Sequence, residues 1–274
     1  MSAQGIIIPT DFSVSDSTAI LQAVHIARKT GDMITLLHIA DSDTTDAERK
    51  RMESICEEIS GDHGVRVGYI IERGHDPMDD LVRVLQSHSP RMLVMGTEGI
   101  RGIAQHLFGA RILGILRNVS VPSAIVQDET PVTESYRKIL LPIDDIEPFE
   151  EKVKSVIPFA KWFNGEVMLY ALHHPMMDER KVKAHIALSR KMLDEADIRY
   201  SETEESPTVF SAGVAKQTLK FAHSWGADLI AISLNDNDNK GNINQADCER
   251  VINNDHHIAV LCTPKKLDSK KLFG

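Results

Sequence analysis

Four glycines, Gly96, Gly99, Gly102 and Gly109, punctuate GTEGIRGIAQHLFG, the first part of the stretch GTEGIRGIAQHLFGARILGILRN that runs from Gly96 to Asn118. The stretch follows the apolar run Met92-Leu93-Val94-Met95 and passes into a helical pattern. The chemistry such a loop could do is phosphate binding. Glycine lets backbone N–H groups reach an anion with no side chain in the way. The pattern predicts a helix over 110–118 opened by Gly109, whose free N–H groups and dipole would favour the same anion. Asp11, just beyond the apolar run Ile6-Ile7-Ile8, is the carboxylate best placed to serve there. Without a positioned partner it reads as a ligand contact and not as a base. A plain strand-to-helix turn would use the same residues, and both readings stand at this point.

Other constellations lead less far. The loop lacks the Gly-Lys-Ser ending of a P-loop, so phosphoryl transfer with that lysine is excluded. No Gly-x-Ser-x-Gly elbow and no Ser-His-Asp order occurs. There is no metal-carboxylate set or arginine finger, so any phosphoryl transfer is expected to be slow. Of the twelve histidines, the adjacent pairs His173-His174 and His256-His257 do not aim two rings at one ion. His38 reads as a core or pocket-edge residue. Asp236, Asp238 and Gly241 fit positions of a calcium loop, but Lys240 stands at a ligand position and Asp247 at the last. A turn rich in Asn and Asp is the plainer reading. No metal is expected.

The chain has 274 residues and a formal charge of −9, which excludes nucleic-acid binding through the whole surface. The lysine pairs Lys265-Lys266 and Lys270-Lys271 read as a solvated tail. Three widely spaced cysteines, Cys56, Cys248 and Cys262, argue for a reducing compartment, with Cys262 as a buried thiol. No leader pattern occurs, and no run approaches the ~20 apolar residues that span a bilayer. The expectation is a cytoplasmic protein without a membrane partner.

The elements that must position the loop are short apolar runs separated by amphipathic stretches. Strands are expected at 6–9, 33–39, 65–71, 92–95 and 122–126, each nearly continuous in apolar residues, as suits a parallel sheet covered on both faces. Ser13 or Ser15 could cap the first helix, and Asp76-Pro77 opens a later one. The chain then repeats itself. Ile6 to Asp11 echoes Ile139 to Asp144 at an offset of 133, as Ile34 to Leu37 echoes Val167 to Tyr170. Met92 to Met95 echoes Leu229 to Ile232 at 137, and Val121 to Val126 echoes His256 to Leu261 at 135. Two copies of one strand–helix fold result, joined through the polar stretch Asp128 to Ser135. The boundaries are drawn as 1–133 and 134–274. Ser201 to Pro207, SETEESP, is expected to be a solvated loop after the second copy's third strand. The last strand of each copy, Ser123–Val126 and Ala259–Cys262, is an apolar edge that must be covered. The two copies are expected to cover each other as an intramolecular pseudo-dimer, with room for a homodimer on top.

With IIIPTDFS at the first strand, TLLHI at the second, and LVMGTEG leading to FGARILGILRNVSVPSAIV, the chain resembles the universal stress protein family, in two tandem copies. The resemblance implies two flavodoxin-like α/β domains of the adenine nucleotide α-hydrolase-like type. Each would be a five-stranded parallel sheet of order 3-2-1-4-5 with helices on both faces. The family's signature is Gly, two residues, Gly, nine residues, Gly, then Ser or Thr; Gly96, Gly99 and Gly109 fit it, and Ala110 stands in place of the hydroxyl. By similarity, Asp11 and the backbone of Ile39 would face adenine and ribose. Gly96, Gly99, Gly109, Ala110 and Arg111 would surround the phosphates, and Thr10, Met95 and Ile112 would line the pocket. Losing the hydroxyl removes one hydrogen bond, worth about 0.5–1.5 kcal/mol. Glu98 would repel a triphosphate, and Arg101 and Arg111 would offset it. In the second copy Ser233 and Asp236 replace the first two glycines, so that site is expected to be lost. The resemblance thus implies a stress-response regulator, not an enzyme, that binds ATP or a related adenine nucleotide, with or without magnesium, in its N-terminal copy only. The alternative is a nucleotide-free interaction scaffold of the same fold.

Overall fold

The computed structural model describes residues 5–10, 16–40, 45–74, 76–97, 108–132, 135–175, 177–206, 213–234 and 245–268. The N-terminal half runs β1 (Gly5–Pro9), α1 (Asp16–Thr30), β2 (Met33–Ala40), α2 (Asp46–His63), β3 (Val67–Arg73), α3 (Pro77–His88), β4 (Met92–Gly96), α4 (Phe108–Arg117) and β5 (Ser123–Val126). The C-terminal half repeats the order as β6 (Lys138–Ile143), α5 (Phe149–Phe163), β7 (Glu166–Leu172), α6 (Glu179–Glu195), β8 (Tyr200–Glu205), α7 (Val214–Trp225), β9 (Leu229–Ser233), α8 (Gln245–Ile252) and β10 (Ala259–Thr263).

Local signals explain several boundaries. Thr45 and Glu48 form a reciprocal capping box at the start of α2, and Gly64 ends that helix at φ 65°. The hydrogen bonds from the Thr45 backbone N–H and hydroxyl hold the Glu48 carboxyl below its ordinary range. Asp76 caps α3 by accepting from the N–H groups of Met78 and Asp79, with Pro77 in the first turn as expected. Ser13 and Ser15 lie outside the described residues.

The strands form one sheet of order β3-β2-β1-β4-β5-β10-β9-β6-β7-β8. Each half is parallel within itself and follows the 3-2-1-4-5 order, so each is one flavodoxin-like α/β unit. The registers agree residue for residue. Ile6 faces Ile34 as Ile139 faces Val167, and Ile6 faces Met92 as Ile139 faces Leu229. At the last strand, Leu93 faces Ser123 and Ile230 faces Val260, so the repeat there is offset by 137 and not by the expected 135. A two-residue slip keeps every side chain on its face, which is why the apolar pattern alone did not reveal it.

Two other expectations are corrected. The third strand begins at Val67, two residues late. Most of SETEESP is not a loop but the strand β8, which pairs with β7 from Val167↔Tyr200 to Leu172↔Glu205. An edge strand leaves its acidic side chains in water, so the composition of a loop and that of a strand coincide. The halves meet where β5 and β10 pair antiparallel, Val260 opposite Ile125 and Cys262 opposite Ser123. Helices α1 and α5 pack across the same seam, as do α4 and α8. Gln127 locks it, its amide donating to the carbonyls of Ile252 at 3.1 Å and Asn254 at 3.0 Å. The Tyr136 hydroxyl, buried, donates to Gln22 on α1 at 2.7 Å. One apolar core runs through both halves, and it contains Cys262. The boundary drawn between 133 and 134 falls on residues outside the described set.

Candidate functional site

In each half the strand order reverses between its first and fourth strands, and ligands of such sheets sit at the carboxyl ends of the strands there. In the N-terminal half this is the gap between β1 and β4. Thr10 leaves β1 buried, its N–H donating to the carbonyl of Leu37 at 2.8 Å. His38, beside Ile39 on β2, sets Nδ1 3.0 Å from the Thr10 carbonyl oxygen, so Nδ1 carries the hydrogen. On the other side, Gly96 ends β4 opposite Val126, and the Thr97 N–H donates to the Val126 carbonyl at 2.8 Å.

Helix α4 begins at Phe108, two residues before the expected start, so Gly109, Ala110 and Arg111 all fall in its first turn. The N–H groups of a first turn have no partner within the helix and favour an anion. Only the backbone of these three residues is described. Met95 and Ile112 are each 1% exposed in the core, so they can shape a pocket but offer it no polar group. The pairing of β1 with β4 thus brings Thr10 and Gly96 to one end of the sheet, with Ile39 on the adjoining strand. Asp11, Glu98, Gly99 and Arg101 lie outside the described residues.

The C-terminal half has the same gap between β6 and β9, and it is filled. Asp144 follows β6 as Asp11 follows β1 in sequence. Its carboxylate forms an ion pair with Lys152 of α5, and the two side chains are 2% and 1% exposed. Lys152 also donates to the Pro142 carbonyl at 2.8 Å and lies 4.6 Å from the ring centre of Phe149. His185 of α6 sets Nδ1 2.6 Å from the Asp144 carbonyl and Nε2 3.0 Å from Glu147 Oε1. The His185 ring stacks on Phe149, with centroids 4.2 Å apart. For Glu147, burial works against ionisation. The hydrogen bonds from His185 and the Phe149 N–H, with the charges of His185 and Lys181, outweigh it and hold the carboxyl below its usual range. Ser233 stands where Gly96 stands in the first half. Burial lifts the Cys248 thiol nearby to about 11.

Glu147, Phe149, Lys152 and His185 were missed in the sequence, although one signal was there. Lys152 shares the helical stripe of Val156 and Ala160, both buried, so a lysine interrupts an apolar face. Elsewhere, the adjacent histidines diverge. His256 stacks on His223, and His257 pairs with Glu129 at 3.0 Å. Among the described residues no three His, Cys, Asp or Glu side chains are grouped to hold a metal. Asp236, Asp238 and Gly241 of the calcium-like loop lie outside them. No described helix is long and apolar enough to cross a membrane.

Residues 3–127 match the model of the Universal stress protein family. No curated protein matches the chain. Among solved structures, a universal stress protein from Archaeoglobus fulgidus DSM 4304 is 17% identical with a TM-score of 0.71, covering 97% of this chain and 100% of that one. A protein from Pseudomonas aeruginosa PAO1, described as functionally unknown, is 12% identical with a TM-score of 0.67, covering 99% and 96%. The cytoplasmic domain of a prokaryotic cation chloride cotransporter is 13% identical with a TM-score of 0.58, covering 99% and 100%. At such identities the likeness is one of fold, over the whole length of both halves.

Proposed function

Because the N-terminal half of this chain, residues 3–127, belongs to the universal stress protein family, we propose that the protein is a stress-response regulator that binds an adenine nucleotide in that half alone. Three features support this reading: the β1–β4 register, which brings the end of β1 at Thr10 beside the end of β4 at Gly96, and the glycine in the first turn of α4 at Gly109, which follows β4 in the chain. Backbone N–H groups are the donors this place offers, and they suit phosphate oxygens. Bound ATP would lie with its base toward Thr10, Asp11 and Ile39 and its phosphates toward Gly96, Gly99 and the residues 109–111. Arg111 would supply charge where Ala110 cannot supply a hydroxyl. The C-terminal half, with Lys152 in its gap, would stay without nucleotide and serve as the first half's partner in an intramolecular pseudo-dimer, which can pair further as a homodimer. We infer no catalysis beyond slow hydrolysis, and the expected compartment is the cytoplasm.

Calorimetric titration of ATP into the whole protein, with and without magnesium, tests this reading. One site per chain is expected, and it should vanish in Gly109→Asp, which puts a carboxylate in the first turn of α4. No heat at millimolar ATP would refute the reading and leave a nucleotide-free scaffold of the same fold.

A further inference from the structure

We propose that the C-terminal half carries its own ligand: the Lys152 ammonium, fixed on α5, occupies the switch point beside β6 and keeps that half permanently closed. The inference rests on reading the switch point as a ligand site. Four observations support it.

First, the occupant is complete. An ammonium has three donors and no acceptor. Lys152 meets the Asp144 carboxylate, the Pro142 carbonyl at 2.8 Å and the face of Phe149 at 4.6 Å. Second, the surroundings are fixed around it. The other Asp144 oxygen accepts from the Ile146 N–H at 3.1 Å, and His185 ties the Asp144 carbonyl to Glu147. Third, little space is left. The cavity lined by Asp144, Lys152, Thr218, Ser233 and Cys248 has a volume of about 20 Å³, enough for one water and no nucleoside.

Fourth, the fold does not need the charge. The helices begin in step, α1 at Asp16 as α5 at Phe149 and α2 at Asp46 as α6 at Glu179, so Lys152 stands at the position of Ala19 and His185 at that of Met52, which are 1% and 0% exposed in the first half. The same architecture therefore accepts small or apolar side chains at both positions. Buried ion pairs rarely stabilise a protein more than well-packed apolar groups do. What the pair adds is an occupant of defined chemistry, a primary ammonium paired with a carboxylate.

A ligand can be removed and returned. In the full chain, Lys152→Ala should lower the midpoint of thermal unfolding by several degrees. Ethyl- or propylammonium chloride should restore it in a saturable manner, while equal sodium chloride or tetramethylammonium chloride, which has no N–H, should not. The parent should show no such response. An equal response in the parent, or none in the variant, would overturn the inference. A second measurement covers a variant that fails to fold. Among the described residues Lys152 is the buried lysine, so the parent labelled with nitrogen-15 at its lysine ammonium groups should show one slowly exchanging signal near neutral pH. Its absence would mean a solvated amine and no internal ligand. Neither readout involves nucleotide, so both stand even if the N-terminal half binds none.

Discussion

The two halves share strand order and register, yet at equivalent places one helix carries Ala19 and the other Lys152. At a second pair of equivalent places α2 carries Met52 and α6 carries His185. The described strands are thus laid out alike in both halves, and the halves differ in the side chains that their helices bring beside them. The difference also shows what closing the gap requires: a cation, its carboxylate, and a second layer that holds both.

The comparison breaks most severely at the pair itself. Asp144→Ala leaves Lys152 buried without its counter-charge and should cost about 3–5 kcal/mol, read from urea unfolding. The double variant Asp144→Leu with Lys152→Met should regain most of that, because the first half manages with apolar groups at the lysine and histidine positions. A double variant as unstable as the single would show that the halves are not interchangeable here. The seam comes next. Leu261 is fully buried opposite Ala124, and Leu261→Ala should cost about 2–5 kcal/mol. If denaturation then splits into two transitions, the strand pair is what makes the halves unfold as one. Tyr136→Phe, which deletes the hydroxyl reaching Gln22 across the seam, should cost about 0.5–1.5 kcal/mol.

The smallest effect concerns acid. Glu147 ionises below the ordinary 4.5 in the folded chain. Its contribution to stability is thus present above that value and is lost as the pH falls through the folded pKa. Glu147→Gln should flatten the fall of stability on acidification below pH 4.5, followed by thermal unfolding across the acid range. A variant as acid-sensitive as the parent would assign the effect to other carboxylates.

Much of this was legible in the residues. Apolar runs such as Ile6 to Ile8 and Ile139 to Leu141 marked the central strands because a strand buried on both faces has no polar position to spare. Asp76-Pro77 announced α3 because capping is local chemistry. The β8 strand was not legible: SETEE has the composition of a loop, and only its partner β7 makes it a strand. At the first half's site, the glycine spacing and the strand ends were readable, and the true start of α4 was not, since Phe108 and Gly109 carry no capping signal. In the second half, Lys152 broke an apolar stripe and could have been noticed. His185 and Glu147 could not, because they stand 38 residues apart and only the packing of α6 joins them.

The antiparallel pairing of β5 with β10 has one more consequence. An ordinary symmetric dimer is built from identical chains, so every substitution appears twice and both sites gain or lose together. Joining the partners in one polypeptide removes that constraint and makes their association independent of dilution. A lysine can then stand on one helix while alanine holds the equivalent place in the other half, and a substitution in one half leaves the other unchanged.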